Sequence, residues 1–255
     1  MNHILEARKL NKTYTLGKNN SHPVLRDVDL DISQGEFVSI MGPSGSGKST
    51  LLYNISGMDK MTSGSVNFCG KEISVMNEDE LSKLRLRLMG FIFQQSSLLK
   101  NLTIFDNIIL SAYLAKDESR QQINERAALL MEQTGITELK DNDITQASGG
   151  QLQRVAICRS LINKPQIVFG DEPTGALNSK ATGEVMDILA EINASGTTIL
   201  LVTHDAKVAA RTERVLFMLD GRITAEKRMG KYNKEHDDIR GRETILNEWL
   251  LEQGF

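Results

Sequence analysis

The sequence predicts an α/β fold with a mostly parallel sheet. Short apolar runs that suit buried strands, at 37–41, 167–169, 198–203 and 215–219, alternate with segments of helical periodicity. Strands that alternate with helices form a parallel sheet with helices on both faces. With 255 residues, 40% hydrophobic and 25% charged, the chain also has the composition of a folded globular protein.

The N-terminal part is predicted to contribute an antiparallel edge to this sheet. Val28, Leu30 and Ile32 alternate with three aspartates, which is the pattern of a strand with one buried and one polar face. The segment 64–70 contains a second short alternating strand. Near the other end of the chain, Asp220-Gly221 predicts a hairpin turn into a further strand.

The middle of the chain changes to helical periodicity. Between about 103 and 161, apolar residues such as Ile104 and Ile108 recur at helical spacing. We therefore expect one domain at 1–227 that carries an inserted helical subdomain at about 95–162.

Residues 228–255 are charged and end in a predicted amphipathic helix. Its apolar face would consist of Ile245, Leu246, Trp249 and Leu250. We expect this helix to dock on its own domain, with binding to a partner as the alternative.

Composition narrows the classes of partner. The formal net charge of −3 gives no electrostatic reason to expect a nucleic acid. The two cysteines, Cys69 and Cys158, lack a neighbouring metal-ligand pattern and are predicted to be reduced packing residues. The apolar stretches are too short to span a bilayer, so a membrane role would depend on a partner.

The segment GPSGSGKS, 42–49, fits the phosphate-loop pattern G-x-x-x-x-G-K-[ST] in full, between a predicted strand and a predicted helix. Glycines let successive backbone N–H groups point at phosphate oxygens, helped by the positive end of the helix. Lysine adds a point charge, and the serine hydroxyl can ligate Mg²⁺. The predicted nucleotide-binding residues here are Gly42, Pro43, Ser44, Gly45, Ser46, Gly47, Lys48, Ser49 and Thr50.

Polar side chains follow two other predicted strands. Asp171 and Glu172 end the run IVFGDE, and His204 follows ILLVT. Ligand sites in open α/β sheets lie at the carboxyl ends of the strands, so these residues are expected beside the phosphate loop. Asp171 would then hold Mg²⁺, and Glu172 would polarise the attacking water.

These motifs, in this order, resemble those of the ATP-binding cassette (ABC) family, the nucleotide-hydrolysing subunits of membrane transport systems. The likeness covers about 4–227. It implies a P-loop NTPase (RecA-like) core with a mostly parallel sheet, an antiparallel N-terminal β subdomain and an inserted helical subdomain. It also implies ATP and Mg²⁺ as ligands.

The resemblance assigns roles to further residues. Tyr14 matches the aromatic residue that stacks on adenine. Gln94 matches the glutamine that joins the core to the helical insert and senses Mg²⁺ and the γ-phosphate. His204 joins the catalytic group. The family signature matches Ser148, Gly149, Gly150 and Gln151.

The resemblance also implies a head-to-tail dimer and a membrane permease as partners. The signature of one copy would close over the γ-phosphate held by the phosphate loop of the other. Two departures stand out: Ala147 replaces the usual leucine, and Asn178 replaces the usual aspartate in GALN, the loop that crosses between subunits. Neither removes a catalytic group, so we expect active hydrolysis.

Several segments resemble one subgroup, the ATPases of macrolide exporters, lipoprotein-release systems and antimicrobial-peptide resistance systems. The segment TGALNSK favours the peptide-resistance branch. Three hypotheses stay open at this point. The first is the ATPase of an exporter at the cytoplasmic face of the membrane, the second is the ATPase of a cell-division or signalling complex, and the third is a soluble protein acting on ribosomes or DNA.

Overall fold

The computed structural model describes residues 3–17, 20–233 and 236–255. Within these residues the chain forms two β-sheets and eight α-helices. The strands are β1 His3–Leu16, β2 Asn20–Ser33, β3 Phe37–Met41, β4 Ser63–Phe68, β5 Lys71–Glu72, β6 Met89–Phe93, β7 Ile167–Asp171, β8 Thr198–Val202, β9 Arg214–Leu219 and β10 Arg222–Arg228.

The helices flank and extend these sheets. They are α1 Lys48–Ile55, α2 Glu78–Leu88, α3 Ile104–Ala115, α4 Arg120–Gln133, α5 Gly149–Leu161, α6 Ser179–Ala194, α7 Ala206–Ala209 and α8 Ile239–Glu252. The sequence predicts α1, the helical stretch α3–α5 and α8, whereas α2, α6, α7 and β6 have no residue-level counterpart in that prediction.

The central sheet has the strand order β10-β9-β3-β8-β7-β6. Strands β3 and β6–β9 are parallel, and β10 pairs antiparallel with β9. Every residue of β3 and β8 is buried, as expected of strands covered by helices on both faces. The predicted hairpin turn is present, with φ values of 47° at Asp220 and 80° at Gly221. The predicted α/β class is confirmed.

The N-terminal strands form an antiparallel sheet of their own, which confirms the N-terminal β subdomain that the family resemblance implied. The prediction that they also form an edge of the central sheet is wrong. The order of the N-terminal sheet is β2-β1-β4-β5, and all of its pairings are antiparallel. Val28, Leu30 and Ile32 are buried against the core, as their alternation predicted. The antiparallel edge of the central sheet is instead β10, which follows from the Asp220-Gly221 turn.

Helices cover the central sheet on both faces. On one face, α1 places Leu51, Leu52 and Ile55 in a cluster that also contains apolar residues of the N-terminal sheet. On the other face, α6 packs Val185 and Leu189 against β7 and β8. The carboxyl ends of β3, β7 and β8 therefore open toward the same edge, which is where the candidate site lies.

Helices α3, α4 and α5 share an apolar cluster separate from that of the central sheet. It includes Ile108, Ala127 and Val155. Helix α5 also touches the central sheet, because Ile157 belongs to the cluster under α6. Helix α5 therefore packs on both the helical region and the sheet.

Helix α8 packs on the chain's own core. Leu246, Trp249 and Leu250 are buried beside Phe217 of β9, whereas Ile245 is 49% exposed, so its predicted burial is wrong. The Arg242 guanidinium donates to four carbonyls, those of Ala210, Thr212, Met229 and Gly230, at 2.8–3.0 Å.

The two cysteines are both free but differ in position. Cys158 is buried in the helical cluster, and burial raises the pKa of its thiol to about 12. Cys69 lies exposed in the turn between β4 and β5, so the prediction that it packs in the interior is wrong.

Candidate nucleotide site

The glycine-rich segment after β3 forms a tight loop whose backbone leaves no room for side chains at two positions. Gly42 and Gly47 have φ values of 149° and 101°, which favour glycine. A Cβ on Gly42 would lie 2.0 Å from the carbonyl oxygen of Met218, and one on Gly47 would lie 3.0 Å from that of Val24. The predicted residues 42–50 thus form a compact cradle that leads into α1.

Lys48, the first residue of α1, has its ammonium group inside this loop. Its Nζ donates to the carbonyl oxygens of Gly42 at 2.8 Å and Pro43 at 2.9 Å, and the residue is only 8% exposed. Burial lowers the pKa of Lys48, and the carboxylates of Glu172 and Asp171 oppose this effect. The buried ammonium is well placed to bind an anionic ligand, and the two carboxylates nearby suit a cation that accompanies it.

Asp171, at the end of β7, is held by two hydroxyl groups of α1. Ser49 Oγ donates to Asp171 Oδ1 at 2.8 Å, and the hydroxyl of Tyr53 donates to Asp171 Oδ2 at 2.6 Å. Burial, followed by this hydrogen bond, raises the pKa of Tyr53 to about 12, so the phenol stays protonated. Sequence reasoning missed Tyr53, although its position four residues after Ser49 places both on one helix face.

Glu172 follows directly and has a strained backbone. Its φ is 47°, which costs a non-glycine residue about 1–3 kcal/mol and is typical of functional sites. The strain is held by two hydrogen bonds, from Glu172 N to the carbonyl of Val202 and from Gly175 N to the carbonyl of Glu172. Its carboxylate, 27% exposed, lies 3.1 Å from His204 Nδ1.

His204 stands between two anchored residues at the end of β8. Thr203 N donates to the carbonyl of Ile40, and Asp205 caps α7 by accepting from Lys207 N. These bonds fix the backbone on both sides of the imidazole. When Nδ1 carries the proton, it donates to Glu172, and Nε2 is then the nitrogen that is available to another group.

Gln94, the first residue after β6, lies close to the Glu172 carboxylate. A Cβ built on Gly175 would lie 3.0 Å from Gln94 Nε2 and 3.3 Å from Glu172 Oε2. The amide and the carboxylate therefore flank Gly175 together. Gln153 of α5, which sequence reasoning missed, donates to the carbonyl of Phe93 at 3.1 Å and so ties the signature helix to the residue before Gln94.

Tyr14 lies on β1 close to the first turn of α1. Its hydroxyl donates to Asp59 Oδ2 at 2.6 Å and also interacts with the Thr50 hydroxyl. The Lys12 ammonium sits 4.5 Å from the ring centroid, and the side chain remains 39% exposed. An aromatic ring is thus available beside the phosphate loop.

The signature residues form the start of α5. Ser148 is the N-cap in a reciprocal capping box: its N–H donates to Gln151 Oε1 at 2.9 Å, and its Oγ accepts from Gln151 N. The hydroxyl hydrogen of Ser148 remains free to donate. Ser148, Gly149 and Gly150 line an open cleft of about 430 Å³ together with Asn178, which caps α6 by accepting from Ala181 N.

The residues around Asp171 fit a magnesium ion. Ser49 Oγ and Asp171 Oδ1 lie 2.8 Å apart and are hard oxygen atoms, the kind of ligand that Mg²⁺ prefers. Both therefore suit direct ligation or ligation through a bound water.

Phosphate-loop nucleotide hydrolases are the class of protein that this fold and this site define. The glycine cradle, the buried ammonium and the carboxylates all lie at the carboxyl ends of neighbouring parallel strands. Among the helices of the described ranges, none combines the length and apolarity needed to cross a membrane.

Comparison with known proteins identifies the family. Residues 25–175 match the family model described as "ABC transporter". The chain belongs to this family and is one of its ATP-binding, ATP-hydrolysing components.

Curated relatives cover the chain almost completely. The bacitracin export ATP-binding protein BceA of Halalkalibacterium halodurans is 39% identical over 252 residues, 98% of this chain and 96% of the relative. The lipoprotein-releasing system ATP-binding protein LolD of Aquifex aeolicus is 42% identical over 226 residues, 89% of this chain and 98% of the relative. Against the macrolide export protein MacB of Aggregatibacter actinomycetemcomitans the identity is 41%, but the chain spans only 39% of that longer protein.

Solved structures agree with this assignment. The dimeric structure of the ATP-binding cassette MJ0796 in a post-hydrolysis state, bound to ADP and Pi, superimposes with a TM-score of 0.82 at 38% identity. The match covers 89% of this chain and 100% of that one.

Proposed function

We propose that this ABC ATPase drives the export or removal of an antimicrobial peptide, a drug or a lipoprotein through a partner permease. The contact of Glu172 with His204, 3.1 Å apart next to the Ser49–Asp171 pair, carries the hydrolytic part of the proposal. The names of the relatives BceA, LolD and MacB support the range of substrates. Among these substrates, the segment TGALNSK favours an antimicrobial peptide.

The residues of the site have distinct roles in this proposal. Lys48 exchanges its two carbonyl partners for β- and γ-phosphate oxygens. Glu172 orients the attacking water and accepts its proton, and His204 holds the Glu172 carboxylate and contacts the γ-phosphate. Tyr14 stacks on adenine, since its ring is partly exposed beside α1.

Ser49, Asp171 and Gln94 would hold Mg²⁺. The bound ion supplies charge neutralisation on the phosphate oxygens. The protein supplies hard oxygen atoms as ligands. The Ser49 hydroxyl and one Asp171 oxygen come from the core, and the Gln94 amide comes from the segment that leads to the helical insert.

A complete site requires a second copy of the chain, arranged head to tail. Ser148 with the N–H groups of Gly149 and Gly150, assisted by Gln151, would close over the γ-phosphate bound by the partner's loop. Preorganised donors of this kind are each worth roughly 10²–10³ in rate. The exposed position of Ser148 and Gly149 in an open cleft supports this arrangement.

The same proposal covers domain organisation and location. Residues 1–227 would form one nucleotide-binding domain with its helical insert at about 95–162, and 228–255 a C-terminal extension. The chain would bind peripherally at the cytoplasmic face of the membrane through its permease. Co-purification of a permease from the native membrane, followed by a test of which compounds stimulate ATP turnover, would identify the substrate.

The replacement Glu172→Gln tests the hydrolytic assignment directly. It keeps the size of the side chain and removes the base, so ATP hydrolysis should fall by about 10²–10⁴ while ATP binding persists. Because the nucleotide is no longer consumed, a dimer should accumulate with ATP and Mg²⁺. Gel filtration with bound-nucleotide analysis measures this.

The matched control is Glu191→Gln, which makes the same replacement at an exposed position of α6 and should leave turnover and dimerisation unchanged. If Glu172→Gln binds ATP but remains monomeric and hydrolyses at the wild-type rate, Glu172 is not the base.

A further inference from the structure

Tyr53 adds a second hydrogen bond to the proposed magnesium carboxylate, Asp171. Ser49 and Tyr53 lie one turn apart on α1, and each donates to a different oxygen of Asp171, at 2.8 Å to Oδ1 and 2.6 Å to Oδ2. A single helix face therefore fixes both oxygens of one carboxylate. The Tyr53 ring also packs against the core cluster beneath the helix.

This constraint bears on which cations the carboxylate can hold. Ca²⁺ takes six to eight oxygen ligands in flexible geometry and often uses both oxygens of one carboxylate. Mg²⁺ requires an octahedron of shorter bonds, and a carboxylate contributes one oxygen to it. With Oδ2 bound to the Tyr53 hydroxyl, Oδ1 is the atom beside Ser49 that remains for a metal or its water.

We propose that Tyr53 is a positioning residue that sets the metal preference of the site, by keeping one Asp171 oxygen occupied so that the carboxylate acts through the other alone. The inference rests on the proposed function of Asp171. Partners that orient a metal-ligating carboxylate typically change metal affinity by roughly 10–100-fold when they are removed.

The replacement Tyr53→Phe isolates the hydroxyl, because it keeps the ring that packs on the core. The probes are Mg²⁺ alone and Ca²⁺ alone. In the Glu172→Gln background, gel filtration gives the concentration of each ion that produces half of the ATP-dependent dimer. Binding of ATP in the presence of a chelator is measured on the same protein.

We expect the Mg²⁺ concentration at the midpoint to rise about tenfold while the Ca²⁺ midpoint stays the same or falls, so that the ratio of the two shifts by tenfold or more. Metal-free ATP binding should stay within about twofold, since Tyr53 contacts the carboxylate and not the phosphate loop. The control Tyr113→Phe removes a hydroxyl that donates to Asn124 in the helical region and should shift neither midpoint.

Two results would overturn the proposal. The first is an unchanged ratio of midpoints, whether both stay constant or both rise equally, because a residue that only supports the fold affects the two ions alike. The second is a loss of metal-free ATP binding equal to the loss with Mg²⁺. If Glu172→Gln with Tyr53 intact fails to dimerise, the proposed function fails, and this result is distinct from a failure of the Tyr53 proposal. The preference for Mg²⁺ over Ca²⁺ is then measured as the ratio of the monomer's ATP affinities in the presence of each ion.

Discussion

The phosphate loop and the signature turn are both glycine-rich and both precede a helix, yet they differ in how complete they are. In the phosphate loop, Gly42 and Gly47 are buried and have positive φ values, and the Lys48 ammonium donates to backbone carbonyls of the same loop. In the signature turn, Ser148 and Gly149 are exposed, and Ser148 exchanges hydrogen bonds with its capping partner Gln151.

The difference shows how one chain can carry two glycine-rich turns with distinct roles. The first turn is stabilised by tertiary contacts, all of them with residues of the same chain. In the second, the hydrogen bonds recorded for Ser148 are those of a helix N-terminus, which leaves its hydroxyl hydrogen and N–H groups of the first turn available to a ligand. A turn of the second kind suits a ligand that another molecule brings to it.

The same substitution in the two turns should give the largest contrast. In Gly42→Ala the new Cβ would lie 2.0 Å from the Met218 carbonyl at a φ of 149°, so the loop must shift and nucleotide binding should fall at least 100-fold, by about 3 kcal/mol or more. In Gly149→Ala the nearest atom is Leu177 Cδ2 at 3.7 Å, an ordinary contact. Its monomer should bind ATP normally.

Equilibrium binding of ATP to the monomer and thermal unfolding measure these effects. Gly149→Ala should unfold at an unchanged or higher temperature, because alanine favours a helix over glycine by roughly 0.5–1 kcal/mol. Equal loss of ATP affinity in both variants would mean that the two turns serve the same nucleotide within one chain.

Mixing two inactive variants tests whether the signature completes a neighbour's site. In a dimer of Ser148→Ala with Lys48→Ala, both defects fall in one site and the other site is intact. With random pairing of equal amounts, about a quarter of the sites should therefore be functional, against almost none in either variant alone. ATPase assays on verified heterodimers measure the recovery, and heterodimers without any activity would contradict shared sites.

Asn178, beside the signature turn, should give the smallest effect. It caps α6 through a bond from Ala181 N at 2.9 Å, and aspartate caps equally well. Asn178→Asp should therefore change the free energy of unfolding by less than about 0.5 kcal/mol, whereas Asn178→Ala should lose about 1 kcal/mol. Denaturant titration distinguishes them; similar losses in both would show that the cap is not what this residue contributes.

Much of the fold could be predicted because its strands are short, apolar and followed by distinctive turns. The run 37–41 and the Asp220-Gly221 turn were predicted correctly for this reason. Helix α2 was missed because its sequence, EDELSKLRLRL, is largely polar, and Leu84 is the one buried residue among those described in it. Burial of Cys69 and Ile245 was predicted wrongly. Composition does not show whether a residue in a turn faces the core, and helical spacing does not show whether a residue at the edge of an apolar face is covered.

The candidate site was predictable where a motif names the residue, and not where geometry alone brings it in. Lys48, Asp171, Glu172 and His204 follow from loop and strand-end positions. Tyr53 and Gln153 lie inside ordinary helical periodicity, and only the three-dimensional structure places one against Asp171 and the other against the carbonyl of Phe93. The strained backbone of Glu172 likewise has no signal in a sequence where glutamate is common.

The Arg242 side chain has a practical consequence for handling this protein. It bridges α8 to the carbonyls of Ala210 and Thr212, which follow the short helix that begins two residues after His204. A deletion that removes Arg242 would therefore leave the carbonyls of Ala210 and Thr212 without this donor, a few residues beyond the imidazole. Preparations whose turnover is to be compared should all retain the helix Ile239–Glu252.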